Sequence, residues 1–196
     1  MKIGIVSDIH GNLPGLNLAL DIMGSVDRLL CPGDAFDEHS FSNDVVRRLR
    51  ELDADYVLGN HEDVFFSNAG VRARNHKGVD QDLVAWAAER PHHLELKCDN
   101  KRLLLFHSTP WEPYGDYIFP HMTAKLERFC DFDADYMVYG HTHSQLLKRK
   151  NGTLVINPGS AGHGRDPSNS RHLSCCVLDT SSDEAIIHNY PDPRLA

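Results

Sequence analysis

Apolar positions along this chain fall into short buried-type runs separated by segments with helical spacing. Lys2 to Val6, Val26 to Leu30 and Tyr56 to Leu58 read as three strands, each closed by a polar turn. Between the first two, Pro14 opens a segment carrying Leu16, Leu18, Leu20, Ile22 and Met23, which predicts a helix. Between the second and third, Val45, Val46, Leu49 and Leu52 sit at i, i+1, i+4 and i+7, predicting a helix over 42–52. Strands alternating with helices predict parallel pairing in a layered α/β fold, of which the plain form is a doubly wound sheet.

Periodicity fades from Val64 to Lys77 and resumes in a helix over 80–90, ended by Pro91. His93–Cys98 and Arg102–Phe106 form a predicted hairpin across Asp99-Asn100-Lys101. A loop rich in Pro, Gly and aromatics, 111–120, precedes a helix over 122–130. Asp135–Tyr139, Leu154–Ile156, Leu173–Leu178 and Ala185–Ile187 are further strands, with a sharp turn at Asn157-Pro158-Gly159-Ser160 and a glycine-rich run to Arg165. With no repeat, low-complexity stretch or linker, residues 1–196 are expected to form a single domain.

Composition narrows the class. A hydrophobic content of 41% and a charged content of 24% are those of a soluble globular protein. The formal charge of −8 argues against stable nucleic-acid binding, which calls for a basic face. It leaves room for a phosphate-bearing substrate, because a metal ion reverses the local field. No apolar run approaches the ~20 residues of a membrane span, so no membrane association is expected. Met1 to Asp8 turns polar too early for a signal peptide, which points to a cytoplasmic protein. Five cysteines without framework spacing fit a reducing compartment and buried, inert thiols, and Cys175-Cys176 are expected on opposite faces of a strand.

The chemistry lies in what punctuates the strands. Of 13 histidines, His10, His61, His107, His141 and His143 fall at strand ends. Asp8, Asp34 and Asn60 join them there. Taken singly each motif has a bland explanation: Asn60-His61 an Asx turn, Asp8 a helix cap, Gly33-Asp34 a turn dipeptide. Paired histidines in Gly140-His141-Thr142-His143 have little structural reason to follow a buried strand. Recurrence after strand upon strand favours a shared site. The mixed nitrogen and oxygen set suits Mn, Fe, Zn, Ni or Co rather than Ca or Mg. Alternate residues of an extended chain share a face, so Asp8/His10 and His141/His143 are expected to point together. Asp8, His10, Asp34, Asn60, His107, His141 and His143 exceed one tetrahedral ion and suit two.

The chain resembles the calcineurin-like metallophosphoesterases, and among them the small bacterial and archaeal phosphodiesterase-type branch. The family pattern Asp-x-His, Gly-Asp, Gly-Asn-His-Glu/Asp, His, Gly-His-x-His is matched by Asp8/His10, Gly33/Asp34, Gly59 to Glu62, His107, and Gly140 to His143, over residues 1–160. The resemblance implies a two-sheet β-sandwich flanked by helices in place of the doubly wound sheet. It implies that Asp8, His10 and His143 hold one metal, that Asn60, His107 and His141 hold the other, and that Asp34 bridges. Manganese leads the candidate ions. His61 would assist proton transfer to the leaving oxygen as a hydroxide held between the metals attacks phosphorus.

Two departures bear on substrate. Ser108 follows His107 where the family often has glycine. Gly33-Asp34-Ala35-Phe36-Asp37-Glu38 lacks the arginine that protein phosphatases carry soon after Gly-Asp. A small phosphodiester is therefore the expected substrate. The alternatives are phosphoproteins, dinucleoside polyphosphates, or a scaffold without activity. Arg72 and Arg74, in a basic stretch with His76 and Lys77, are candidate phosphate contacts or a solvated loop. Trp111, Tyr114 and Tyr117 are candidates for stacking a base or aromatic group, or a packed loop or subunit contact, which leaves a homo-oligomer open. His163 and Arg165 are placed to reach the pocket.

Overall fold

The computed structural model describes residues 1–195. In chain order its strands are β1 (Lys2–Ile5), β2 (Arg28–Cys31), β3 (Asp55–Tyr56), β4 (His93–Cys98), β5 (Lys101–Phe106), β6 (Tyr136–Val138), β7 (Leu146–Lys150), β8 (Thr153–Asn157), β9 (Leu173–Asp179) and β10 (Glu184–Tyr190). Its helices are α1 (Leu13–Met23), α2 (Asn43–Glu51), α3 (Asn60–Phe66), α4 (Val71–Arg74), α5 (Gln81–Ala88) and α6 (Thr123–Glu127).

The strands form two mixed sheets, ordered β10-β9-β1-β2-β3 and β4-β5-β6-β8-β7, rather than one doubly wound sheet. Alternation along each strand explains the sandwich. Ile3, Ile5, Leu30 and Leu178 of one sheet meet Leu103, Leu105, Val138 and Ile156 of the other. The opposite face of the first sheet, with Leu29, Cys31 and Tyr56, packs on α1, α2 and α5 through Leu16, Val45, Leu49 and Val84. Phe106, Met137 and Val155 face outward from the second sheet onto Leu126 and Phe129 around α6. Cys175 belongs to the helix-side core and Cys176 to the sandwich core, on opposite faces as expected. A strand buried on both faces has no solvent side, so periodicity alone could not divide these runs between two sheets.

Several boundaries differ from the sequence expectation. β7 is a strand with alternate exposed residues that Lys148, Arg149 and Lys150 disguise. β3 has only two residues: the Val57 N–H makes a last bond to the Cys31 carbonyl (3.1 Å), and the Leu58 N–H turns to the Pro91 carbonyl (2.9 Å). The weakly periodic 64–77 contains the end of α3, a 3₁₀ turn at Asn68–Gly70 and α4. The helix expected over 122–130 is α6 followed by a 3₁₀ turn, Arg128–Asp131.

What matters for chemistry is polarity. β1, β2 and β3 run parallel, as do β5, β6 and β8. Their carboxyl ends open onto one edge of the sandwich, the position where α/β sheets gather their ligands. Among the described residues no helix is long and apolar enough to cross a membrane.

Candidate metal centre

The loops leaving those strands carry the polar set on curled backbone. Asp8, His10, Asp34, His141 and His143 have φ of 51°, 47°, 54°, 68° and 55°. Left-handed conformation in non-glycine residues is uncommon and clusters at functional sites. The extended-chain reasoning for Asp8/His10 and His141/His143 therefore fails, although each pair does converge. Main-chain hydrogen bonds hold the curl: the Asp8 N–H donates to the Gly33 carbonyl (3.1 Å), His10 N–H to the Asp34 carbonyl (3.0 Å), and Gly140 N–H to the His107 carbonyl (3.0 Å). The His141 N–H donates to Asp8 Oδ1 at 3.0 Å, tying the first loop to the last. A Cβ at Gly140 would strike the Ser7 hydroxyl and the Asp8 carboxylate, and one at Gly59 would strike Asp34. Glycine precedes the ligating residues because the loops pass this closely.

The side chains gather in two groups. In one, His107 Nε2 lies 2.9 Å from Asn60 Oδ1, 3.1 Å from His141 Nδ1 and 3.4 Å from Asp34 Oδ2. In the other, His10 Nε2 lies 3.1 Å from His143 Nε2, which is 3.4 Å from Asp8 Oδ1. His107 Nδ1 must donate to the Pro32 carbonyl at 2.7 Å. In neutral His107 that leaves Nε2 with a lone pair, directed at an amide oxygen and a carboxylate oxygen that can only accept. His10 is set in the same way, its Nδ1–H donating to Asp37 Oδ1 at 2.8 Å. Converging lone pairs repel unless a cation lies between them. Donor separations of 2.9–3.4 Å match the ~2.8–3.6 Å edges of a coordination shell with bonds of ~2.0–2.2 Å. The donors present thus fit divalent transition ions, with Asp34 the carboxylate that reaches toward both groups.

Electrostatics follows from burial and mutual charge. Burial alone would raise the carboxyls of Asp8 and Asp34. The neighbouring imidazoles, His143 for Asp8 and His107 for Asp34, outweigh it and hold both below the usual carboxylate range. Burial acts oppositely on His107, but the Asp34 carboxylate lifts it to about 9. A proton can thus occupy the position a cation would take. Burial and the charge of His107 push His141 down to about 4, keeping its lone pair free at neutral pH.

His61 stands at the side of the cluster with its Nε2 3.8 Å from Asp34 Oδ2. Its Nδ1 is paired with the Glu38 carboxylate, and its ring meets His10 edge-on at 4.7 Å. Its N–H donates to Asp34 Oδ1 at 3.0 Å.

Several supporting residues had no assigned role in the sequence. Fully buried Glu62 accepts from the N–H groups of Asp34 (3.0 Å), Ala35 (2.7 Å) and Gly59 (2.9 Å), and from the Tyr56 hydroxyl (2.5 Å). Burial and then the Asp34 charge push its carboxyl up to about 7 against those donors. Its place three residues after Gly59 at the start of α3 was the available signal, since N3 glutamates turn back onto the N-cap. Ser160 Oγ donates to the Asp8 carbonyl (2.7 Å) and Asn157 Nδ2 to the Gly140 carbonyl (2.7 Å), so the turn after β8 braces the first and last loops. Asp37 and Glu38, which orient His10 and His61, had no spacing to betray them.

The match to the model of the calcineurin-like phosphoesterase superfamily domain covers residues 1–183. The chain belongs to the calcineurin-like phosphoesterase superfamily. It is an enzyme of the phosphoesterase class. It is 25% identical over 205 residues to the protein MJ0912 of Methanocaldococcus jannaschii, covering 90% of this chain and 82% of that one. It is 24% identical over 170 residues to phosphodiesterase MJ0936 of the same organism, covering 81% and 83%. The structure of a metallophosphoesterase from Sphaerobacter thermophilus superposes with a TM-score of 0.81 at 23% identity, over 98% of this chain and 89% of that one.

Other candidates in this phosphoesterase are placed variously. Arg74 is committed to main-chain carbonyls, including that of Ser67 at 2.8 Å. Arg72 lines a separate surface groove with His39, Phe41 and Val79. Trp111 is a packing residue: its ring lies 5.3 Å from Phe129 under the Arg128 guanidinium, and its Nε1–H donates to Asp116 at 3.2 Å. The Tyr114 hydroxyl pairs with His92 Nδ1. Arg165 lies 3.5 Å from His163 Nδ1, and His163 stacks on His10 at 4.4 Å. Tyr117 stacks on His141 at 3.9 Å.

Proposed function

We propose that this phosphoesterase is a binuclear metal-dependent phosphodiesterase acting on a small substrate. Asp8, His10 and His143 hold one ion, Asn60, His107 and His141 the other, and Asp34 bridges. The observation that carries the proposal is the convergence of these lone-pair atoms in two groups, both within reach of one buried carboxylate. Two divalent ions, with manganese ahead of Fe, Zn, Ni and Co, would supply positive charge for the phosphoryl oxygens and acidify water. The two carboxylates offset part of that charge, leaving about two units for an anionic substrate.

The side chains supply position and protons. Glu38 holds His61 by Nδ1, which leaves Nε2 to give its proton to the leaving oxygen. Water adds to phosphorus as the ester P–O bond breaks, and the proton that water loses restores His61. His163 lies parallel to His10 at 13°, with a ring nitrogen within 4.8 Å of those of His10 and His143. With Arg165 it is placed to contact phosphoryl oxygens. The name of MJ0936 and the lack of an arginine within Asp34 to Glu38 favour diesters over phosphoproteins. The free thiols, four of the five buried, fit the cytoplasm.

Metal-loaded protein should bind two ions per chain and hydrolyse bis-p-nitrophenyl phosphate faster than p-nitrophenyl phosphate or a phosphopeptide. His61→Ala should keep both ions and lose ~10³-fold in kcat on a diester with a poor leaving group. One ion per chain, or full activity of His61→Ala on that diester, overturns the assignment.

A further inference from the structure

Within the 111–121 loop the aromatic side chains divide sharply. Trp111 is folded onto Phe129 and Phe132, and Ile118 is fully buried. Tyr117, by contrast, is 50% exposed, the one aromatic among the exposed large apolar side chains of the described residues. Phe119 follows it nearly parallel, at 6.2 Å and 14°, and His121 follows Phe119 at 5.9 Å and 9°. The Tyr117 to Phe119 spacing is close to the ~6.6 Å rise of alternate residues on extended backbone, whereas His121 is brought into line by a turn in which the Met122 N–H donates to the Phe119 carbonyl at 2.9 Å. A row of three flat faces thus begins against His141 and runs outward.

The row is fixed. Ser108 donates through its hydroxyl to the Asp116 carbonyl, and the Asp116 carboxylate pairs with Lys125 at 2.7 Å. The Tyr139 hydroxyl donates to the Ile118 carbonyl at 2.8 Å, and buried Ile118 anchors the segment between exposed Tyr117 and half-buried Phe119. Ser108, where the family often has glycine, is one of these anchors. Anchored backbone beneath the row lowers the ordering entropy that binding would otherwise cost.

We propose that Tyr117, Phe119 and His121 form a stacking platform for a nucleobase, making nucleoside phosphodiesters the preferred substrate class. The proposal rests on the phosphodiesterase assignment above. The occupant follows from position: Tyr117 lies on the ring of His141, so a group stacked beside it is joined to the scissile phosphate through a short linker such as a sugar. A macromolecule laid on the same row would cover the opening. Every base offers a π-face, so the platform selects a base without reading its edge.

Two esters with one leaving group isolate the effect: thymidine 5′-(p-nitrophenyl phosphate) and methyl p-nitrophenyl phosphate. Any stacking of the nitrophenyl group cancels in their ratio. Wild-type protein should favour the thymidine ester in kcat/KM by ~5- to 150-fold, the range of a stack worth ~1–3 kcal/mol. Tyr117→Leu and Phe119→Ala should collapse that ratio, and Phe119→Tyr should retain it. A ratio near one in wild type, or one unchanged in both variants with their metals bound, overturns the platform. If neither ester is hydrolysed, the phosphodiesterase assignment fails on its own. Competition then still reads the platform, since thymidine 5′-monophosphate must bind the metal-loaded protein more tightly than inorganic phosphate, and equal affinities reject it.

Discussion

The two halves of the cluster each set two imidazoles beside one side-chain oxygen, the Asp8 carboxylate in one and the Asn60 amide in the other, and are secured by different means. On the His107 side, the outer ring nitrogen is held by the Pro32 carbonyl, a main-chain atom, and His107 is fully buried. On the His10 side, the corresponding atom is held by Asp37, a carboxylate whose side chain is 42% exposed. A main-chain carbonyl cannot be mutated away or ionise. A side-chain carboxylate can do both. The two positions therefore share paired imidazoles and carry different liabilities: one is fixed by the fold, the other is adjustable by a single side chain. The adjustable side is also where His61 and His163 approach His10.

The strongest way to break this asymmetry is to remove what both halves share. Asp34 lies 3.4 Å from His107 Nε2, and its carboxylate also falls within the group formed with His10 and His61. Asp34→Ala should abolish stoichiometric binding of two ions and lower kcat/KM by ~10⁴-fold, the scale expected when several kcal/mol of metal stabilisation is lost. Elemental analysis alongside steady-state rates checks it. Retention of both ions would mean that the halves are independent.

A narrower change addresses one half alone. Asp37→Asn keeps the shape of the partner but removes its charge, and should weaken the His10-side ion ~10- to 100-fold while leaving the His107-side ion in place. Calorimetric titration would then resolve two steps further apart than in wild type. Equal weakening of both steps would show that Asp37 acts through the general field rather than through His10.

How far the sequence foretold this cluster differs by kind of residue. Asp8, His10, Asp34, Asn60, His107, His141 and His143 are legible because each follows an apolar run, and the fold brings them to one edge. Their shared direction was inferred from extended geometry, yet five of them take left-handed φ, which no residue pattern announces. The division into two sheets came only from family resemblance, since strands buried on both faces have no polar alternation to assign them. Asp37 and Glu38 were passed over because their roles come from loop curvature, which brings Glu38 to His61 across 23 residues. In the 111–121 loop, composition marked Trp111 and Tyr117 alike. Only packing separates the ring that fills a core from the ring that faces solvent.

The smallest effect sharpens the comparison on the buried side. In metal-free protein the Asp34 carboxylate, outweighing burial, raises His107 to about 9 from an ordinary 6.5. The folded state therefore holds this proton more tightly, and the stability it contributes is complete below pH 6.5 and lost as pH rises through 9. Glu62, raised by burial to about 7 from 4.5, gives up its contribution mostly below pH 7. His141, lowered by burial to about 4, costs stability only as pH falls below 6.5. Between pH 7 and 9, then, His107 is the group among these three that sets the slope. Chelator-treated protein should lose ~1–3 kcal/mol over that interval, a fall of ~2–10 °C in Tm. His107→Gln protein, which shares every other titrating group, should lack that part of the fall, whereas Asp37→Asn protein should retain it. Metal affinity on the His107 side should rise over the same interval, because an ion must displace the proton that Asp34 holds there. Parallel melts of the wild-type and His107→Gln proteins, both without metal, would show that the proton and the ion compete for one position only if the two curves diverge above pH 7.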